Sequence, residues 1–162
     1  MNFGPGKGRS VPALLAVSIL TIVGFVSNVS PAAAAPVLWG GFGSNDLGQG
    51  TITFSVNNGR AKLTSLQAIM ACTDTNNGRE SDRAYSISNG PTDTLNLNRF
   101  NFNFNRSSGG RRGHVRLSGI LRSNGHGNAH LNLTATARGD LGGVIERCQA
   151  SLTYSMNRGR VS

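Results

Sequence analysis

From Asp93 to Ala137 the chain alternates apolar and polar residues almost without interruption, a period that suits extended strands with one buried face and does not suit helices. Phe100, Phe102 and Phe104 occupy even positions. Val115, Leu117, Gly119 and Leu121 then occupy odd ones, followed by Ala129, Leu131, Leu133, Ala135 and Ala137. Ser107-Ser108-Gly109-Gly110 and Asn124-Gly125-His126-Gly127 supply turn chemistry between these runs, so the stretch predicts a three-strand meander. Leu95 and Leu97 have the opposite parity to the phenylalanines, and one inserted residue across Asn98 and Arg99, a β-bulge, reconciles them.

The same reading extends in both directions. Ile52, Phe54 and Val56 alternate with Thr and Ser, and Asn57-Asn58-Gly59 turns the chain into a second strand, Ala61 to Cys72, with Leu66, Ala68, Met70 and Cys72 on one face. Leu63 is out of phase with those four, which calls for either a bulge near Thr64 or a short helix from Leu63 to Met70. Arg83 to Ser88 reads as a short strand before the turn Asn89-Gly90-Pro91. A last strand from Glu146 to Met156 points Cys148, Ala150, Leu152 and Tyr154 inward. Glycine, 22 residues spread through every segment, and a charged fraction of only 14% exclude coiled coils and helical bundles. The expected fold is all-β: an antiparallel β-sandwich or small barrel of about seven strands.

Residues 1–35 read as a cleaved signal peptide. Lys7 and Arg9 precede an apolar run from Val11 to Val26, and Ala33 and Ala35 supply an Ala-x-Ala exit. Residues 36–49 form an aromatic and Gly-rich segment in which Trp39 and Phe42 either contact a partner or pack over one end of the fold. Residues 50–162 form a single β domain. The signal leads to the expectation of a secreted, extracellular protein, with no transmembrane segment in the mature chain. Cys72 and Cys148, the only cysteines, are therefore expected to form one disulfide. Closing a loop of that length would stabilise the fold by about 4.5 kcal/mol in the chain-entropy model.

Beside the inward phenylalanines, Asn101, Asn103 and Asn105 point outward, although Asn is disfavoured in strands. Registers that keep apolar residues facing one another place Phe104 opposite Val115 and Leu117 opposite Leu133. The outer face then carries Asn105, His114 and Thr136 in one row, Asn103, Arg116 and Thr134 in the next, and Asn101, Ser118 and Asn132 in a third, flanked by Arg112 and Arg138. Amides, hydroxyls and guanidinium groups on one flat face suit hydrogen bonding to sugars or to a phosphate-bearing polymer. The formal net charge of +9, carried almost wholly by Arg, attracts polyanions, but no exposed aromatics interleave with it as in a single-strand nucleic-acid platform. No specific nucleic acid is therefore expected. The expected function is a secreted, non-catalytic binding or envelope-associated module for a polar or anionic polymer, such as a glycan or cell-wall polymer, with Asn101, Asn103, Asn105, His114, Arg116, Asn132 and Arg138 as the contact. The alternative is a small secreted hydrolase of ribonuclease-like toxin type with His114 as base, and no Asp or Glu lies between Asp93 and Asp140 to assist it. No spacing of His, Cys, Asp or Glu predicts a metal site, and no motif predicts a cofactor.

Overall fold

A computed structural model of the protein describes residues 35–45 and 48–159, and the signal-peptide reading falls almost wholly outside them. The described chain is all-β. Its nine strands are β1 (Val37–Asn45), β2 (Gly48–Asn57), β3 (Arg60–Asp74), β4 (Glu80–Ser88), β5 (Thr92–Thr94), β6 (Arg99–Ser108), β7 (Arg111–Leu121), β8 (His126–Arg138) and β9 (Val144–Arg158). They form one antiparallel sheet in the order β4-β3-β2-β1-β9-β8-β7-β6, with β5 paired to the start of β3. The count is nine rather than seven because β1 and the three-residue β5 add to the expected set. The aromatic and Gly-rich segment supplies β1, paired along its length to β2 and over Trp39–Gly43 to β9. Glycine weakens strand propensity, but here it is required: a Cβ on Gly41 would stand 2.8 Å from Met156 Cγ, and one on Gly43 would stand 3.1 Å from the Tyr154 ring.

Strands β3 and β9 meet directly at one end, where Ala71–Asp74 pairs with Glu146–Gln149, and diverge at the other. The β1–β2 hairpin fills the fork, and Asn45 Nδ2 donates to Ser151 O at its crotch. Cys72 and Cys148 are direct cross-strand partners with Cα atoms 3.9 Å apart, and they form the expected disulfide inside the core.

Parity places one face of every strand except the short β5 in a single core. Ile52 and Phe54 from β2, Leu66 and Met70 from β3, Phe100 and Phe102 from β6, Leu117 from β7, Leu131 and Leu133 from β8, and Leu152 from β9 are all buried. Phe54 stacks with Phe102 at 5.8 Å between ring centroids and meets Phe100 at 4.8 Å, although β2 and β6 share no ladder. Each such aromatic pair adds about 1 kcal/mol to the area it buries. The ends of the sheet path also come together. Tyr85 Oη donates to Arg106 O at 2.6 Å, Ser86 N to Ser108 Oγ at 3.1 Å, and Asn101 N to Asp93 Oδ2 at 2.7 Å.

The bulge at Thr64 is present and the helix is not. Thr53 pairs with Ser65 and Phe54 with Leu63, so Thr64 is the inserted residue; its Oγ1 lies 2.7 Å from Thr53 Oγ1 and its carbonyl accepts from Asn89 N. The parity change before β6 has a different cause from the expected bulge. Leu97 and Asn98, both at positive φ (49° and 63°), form a two-residue turn bridged by Asn96 and Arg99. Two left-handed residues in succession match the twist of a tight hairpin, which resets parity without inserting a residue into a ladder.

Candidate functional site: the outer face of β6 to β9

The β6–β7 register is as expected, with Phe104 opposite Val115 and Asn105 opposite His114. The β7–β8 register is two residues away from expectation: Leu117 faces Leu131, and Val115 faces Leu133. The cause is the turn. Arg122 N donates to His126 O and Gly125 takes φ 86°, so the loop is the three residues Ser123-Asn124-Gly125. A shift of two preserves which side chains point outward but changes their neighbours. The rows are therefore Asn105, His114, Thr134 and Gln149; then Asn103, Arg116, Asn132 and Ser151; then Asn101, Ser118, His130 and Thr153.

His114 is held at both ring nitrogens. Arg116 Nε donates to His114 Nε2 at 3.1 Å, so Nδ1 carries the proton and donates to Asn105 Oδ1 at 2.9 Å. The Asn105 amide nitrogen is left pointing to solvent as a donor. Ser151 Oγ donates to Asn132 Oδ1 at 3.1 Å, which orients that amide in the same way. Asn101 and Asn103 are exposed, and their side-chain amides bond to no described residue. Six of the seven expected contact residues thus share one surface. Arg138 does not join it: its Nη1 donates to Gly142 O at 2.7 Å, which ties it to the β8–β9 loop. Arg112 does flank the face, exposed one row beyond His114, and Arg147 on β9 lies in the same row as Arg112 through Thr136.

Charge divides unevenly along the chain. Residues 95–159 carry nine arginines against two carboxylates, Asp140 and Glu146, whereas residues 37–94 carry four basic and five acidic side chains. Glu146 does not neutralise the outer face, because it points inward and is buried, 3.1 Å from Arg83 Nε and 2.5 Å from Arg111 Nη2. This clamp joins β4, β7 and β9 beside the disulfide. Sequence reasoning misses it, since no local spacing relates residues 83, 111 and 146.

Among the described residues the only grouping with metal-ligand geometry is Cys72, Glu146 and Cys148, and the disulfide consumes both sulfurs as donors. The three histidines are dispersed: His126 Nδ1 lies 2.9 Å from Asn157 Oδ1 and His130 Nδ1 lies 3.3 Å from Thr153 Oγ1. Burial pushes the Tyr85 phenol above its ordinary value, partly offset by the nearby Arg106 guanidinium, and pushes Tyr154 up more strongly. Trp39 is buried and Phe42 is half exposed, on the outer face of β1. The chain matches no protein-family model, no curated protein and no solved structure, so its residues alone carry the functional argument.

Proposed function

We propose that the protein is an exported, non-catalytic β domain, released by removal of residues 1–35, that binds a polar or anionic polymer through the outer face of β6 to β9. The observation that carries this reading is the Arg-rich, carboxylate-free outer surface of those four strands, on which outward amides stand ready to donate. Attraction between such a surface and a polyanion acts at a range of about 10 Å at moderate salt, and bidentate Arg contacts then fix orientation. Binding is preferred to acid–base chemistry at His114 because Arg116 occupies the lone pair a base needs and no described carboxylate contacts the ring. The bonds from Tyr85, Ser86 and Asp93 to β6 favour a small barrel, a rigid support for such a face, over a two-sheet sandwich.

The test is elution from a sulfated matrix in a salt gradient. An Arg112→Glu/Arg116→Glu variant should elute at markedly lower salt than the parent. An Arg60→Glu/Arg79→Glu variant, with the same change in net charge on exposed residues elsewhere, should elute close to it. Equal shifts in both variants would assign retention to net charge and remove the face from the account.

A further inference from the structure

The outer face continues beyond β8 into a shallow depression of about 890 Å³ over the junction of β3 and β9. Its floor is low because Ala71 is the outward residue between Asp82 on β4 and Gln149 on β9. Thr73, Thr134, Thr136 and Gln149 surround Arg147 within it, and Glu80 and Asp82 form its far rim. Arg147, Glu80 and Asp82 are exposed and make no ion pair with any described residue. One row crosses the whole surface: Ser107, Arg112, Thr136, Arg147, Thr73, Glu80. Arg112 and Arg147 stand two strand spacings apart, about 10 Å, and Glu80 lies about 10 Å beyond Arg147.

We infer that this depression is a subsite for a hydroxyl-rich glycan bearing an acid group on every second sugar. Arg112 and Arg147 take successive acid groups, and Glu80 and Asp82 accept hydrogen bonds from sugar hydroxyls. The inference rests on the proposed binding role of the β6–β9 face and adds the ligand class. Charge order along the row carries it. A polyphosphate or nucleic-acid strand, charged at every unit, would follow the two guanidinium groups and then meet two carboxylates, which repel it. A glycan with sparse charge presents hydroxyls there, and an ionised carboxylate accepts from them in strong charge-assisted bonds. The threonines and Gln149 supply further donors and acceptors between the charged positions.

The probes are a hyaluronan octasaccharide, with one carboxylate per disaccharide, and a linear polyphosphate of matched total charge, both measured by calorimetry in moderate salt. The parent should prefer hyaluronan. Arg147→Ala should weaken hyaluronan binding about tenfold, and Glu80→Gln/Asp82→Asn should weaken hyaluronan while strengthening polyphosphate. Unchanged or stronger hyaluronan binding in the Glu80→Gln/Asp82→Asn variant, a preference for polyphosphate in the parent, or no effect of Arg147→Ala would overturn the inference. Failure of the underlying reading looks different: Arg112→Glu/Arg116→Glu would then leave both probes bound as in the parent. No binding of either probe by the parent would overturn both.

Discussion

Gly113 sits on the inward face of β7 directly beneath the Tyr85 ring, and a Cβ there would fall 2.4 Å from Tyr85 Oη and 2.6 Å from Cζ. Tyr85 is fully buried, and its hydroxyl makes one of the bonds joining the two ends of the sheet path. Gly113→Ala must therefore push the ring out of its seat. Overpacking of this kind costs about 1–3 kcal/mol, and breaking the bond to Arg106 O adds about 1 kcal/mol. A total near 3 kcal/mol corresponds to a fall in Tm of about 10 °C for a domain of this size. Tyr85→Phe alone should cost about 1 kcal/mol, because only the hydroxyl is lost. The two effects should not add. Once the new methyl group at position 113 has displaced the ring, the hydroxyl has no bond left to lose and is itself the worst clash, so the double variant should be at least ~1 kcal/mol more stable than the sum of the singles predicts. Urea and thermal unfolding followed by far-ultraviolet circular dichroism read all four species. Strict additivity, or a Gly113→Ala protein as stable as the parent, would refute the packing of Tyr85 over Gly113 and with it the account of how the sheet ends are joined.

Other outcomes follow from the same contacts. Tyr85 and Tyr154 are the only tyrosines, and burial raises both above the ordinary value of 10. A raised folded value means the native state holds its protons more tightly, so stability is intact below pH 10 and falls as pH rises beyond it; tyrosinate absorbance should appear together with loss of β-sheet signal rather than before it. Glu146→Ala strands Arg111, whose side chain is only 16% exposed, and should cost about 3 kcal/mol in urea unfolding; Arg83→Ala, removing a half-exposed partner, should cost under about 1 kcal/mol. Replacing both Cys72 and Cys148 by Ser should lower stability by about 4 kcal/mol, read as a shift in denaturant midpoint. Deleting Thr64 brings Leu63 and Leu66 into phase and closes the β2–β3 ladder without a bulge, so that variant should still unfold cooperatively, losing only about 1–2 kcal/mol with the Thr53 hydroxyl contact and the carbonyl that accepts from Asn89 N.

Much of this architecture is legible because a strand has a period of two. Parity alone identifies the core faces of β2, β3 and β6 to β9, and the phase error at Leu63 marks Thr64 as an inserted residue. Parity does not fix how far one strand slides against the next, which is why the β7–β8 register lies two residues from expectation: that offset depends on whether Gly125 closes a three-residue loop, a backbone conformation rather than a pattern. The turn at Leu97-Asn98 is hidden for a related reason, since Leu at positive φ is uncommon and nothing nearby announces it. Strand β1 is masked by Gly40, Gly41 and Gly43, and what Gly41 and Gly43 contribute becomes visible only when Tyr154 and Met156 arrive from β9. At the candidate site, sequence locates the outward amides and Arg116, but the tautomer of His114, the tether of Arg138 and the depression around Arg147 all depend on partners on other strands or in loops.

The central claim is that the outer face of β6 to β9 is the contact surface, and backbone and side-chain amide NMR shifts during titration with the hyaluronan octasaccharide test it most directly. Shifts should concentrate at Asn103, Asn105, Arg116, Thr134 and Arg147, in fast exchange and diminishing as salt is raised. Shifts centred instead on Phe42, Thr51 and Thr53, the outer face of the β1–β2 hairpin, would contradict the account.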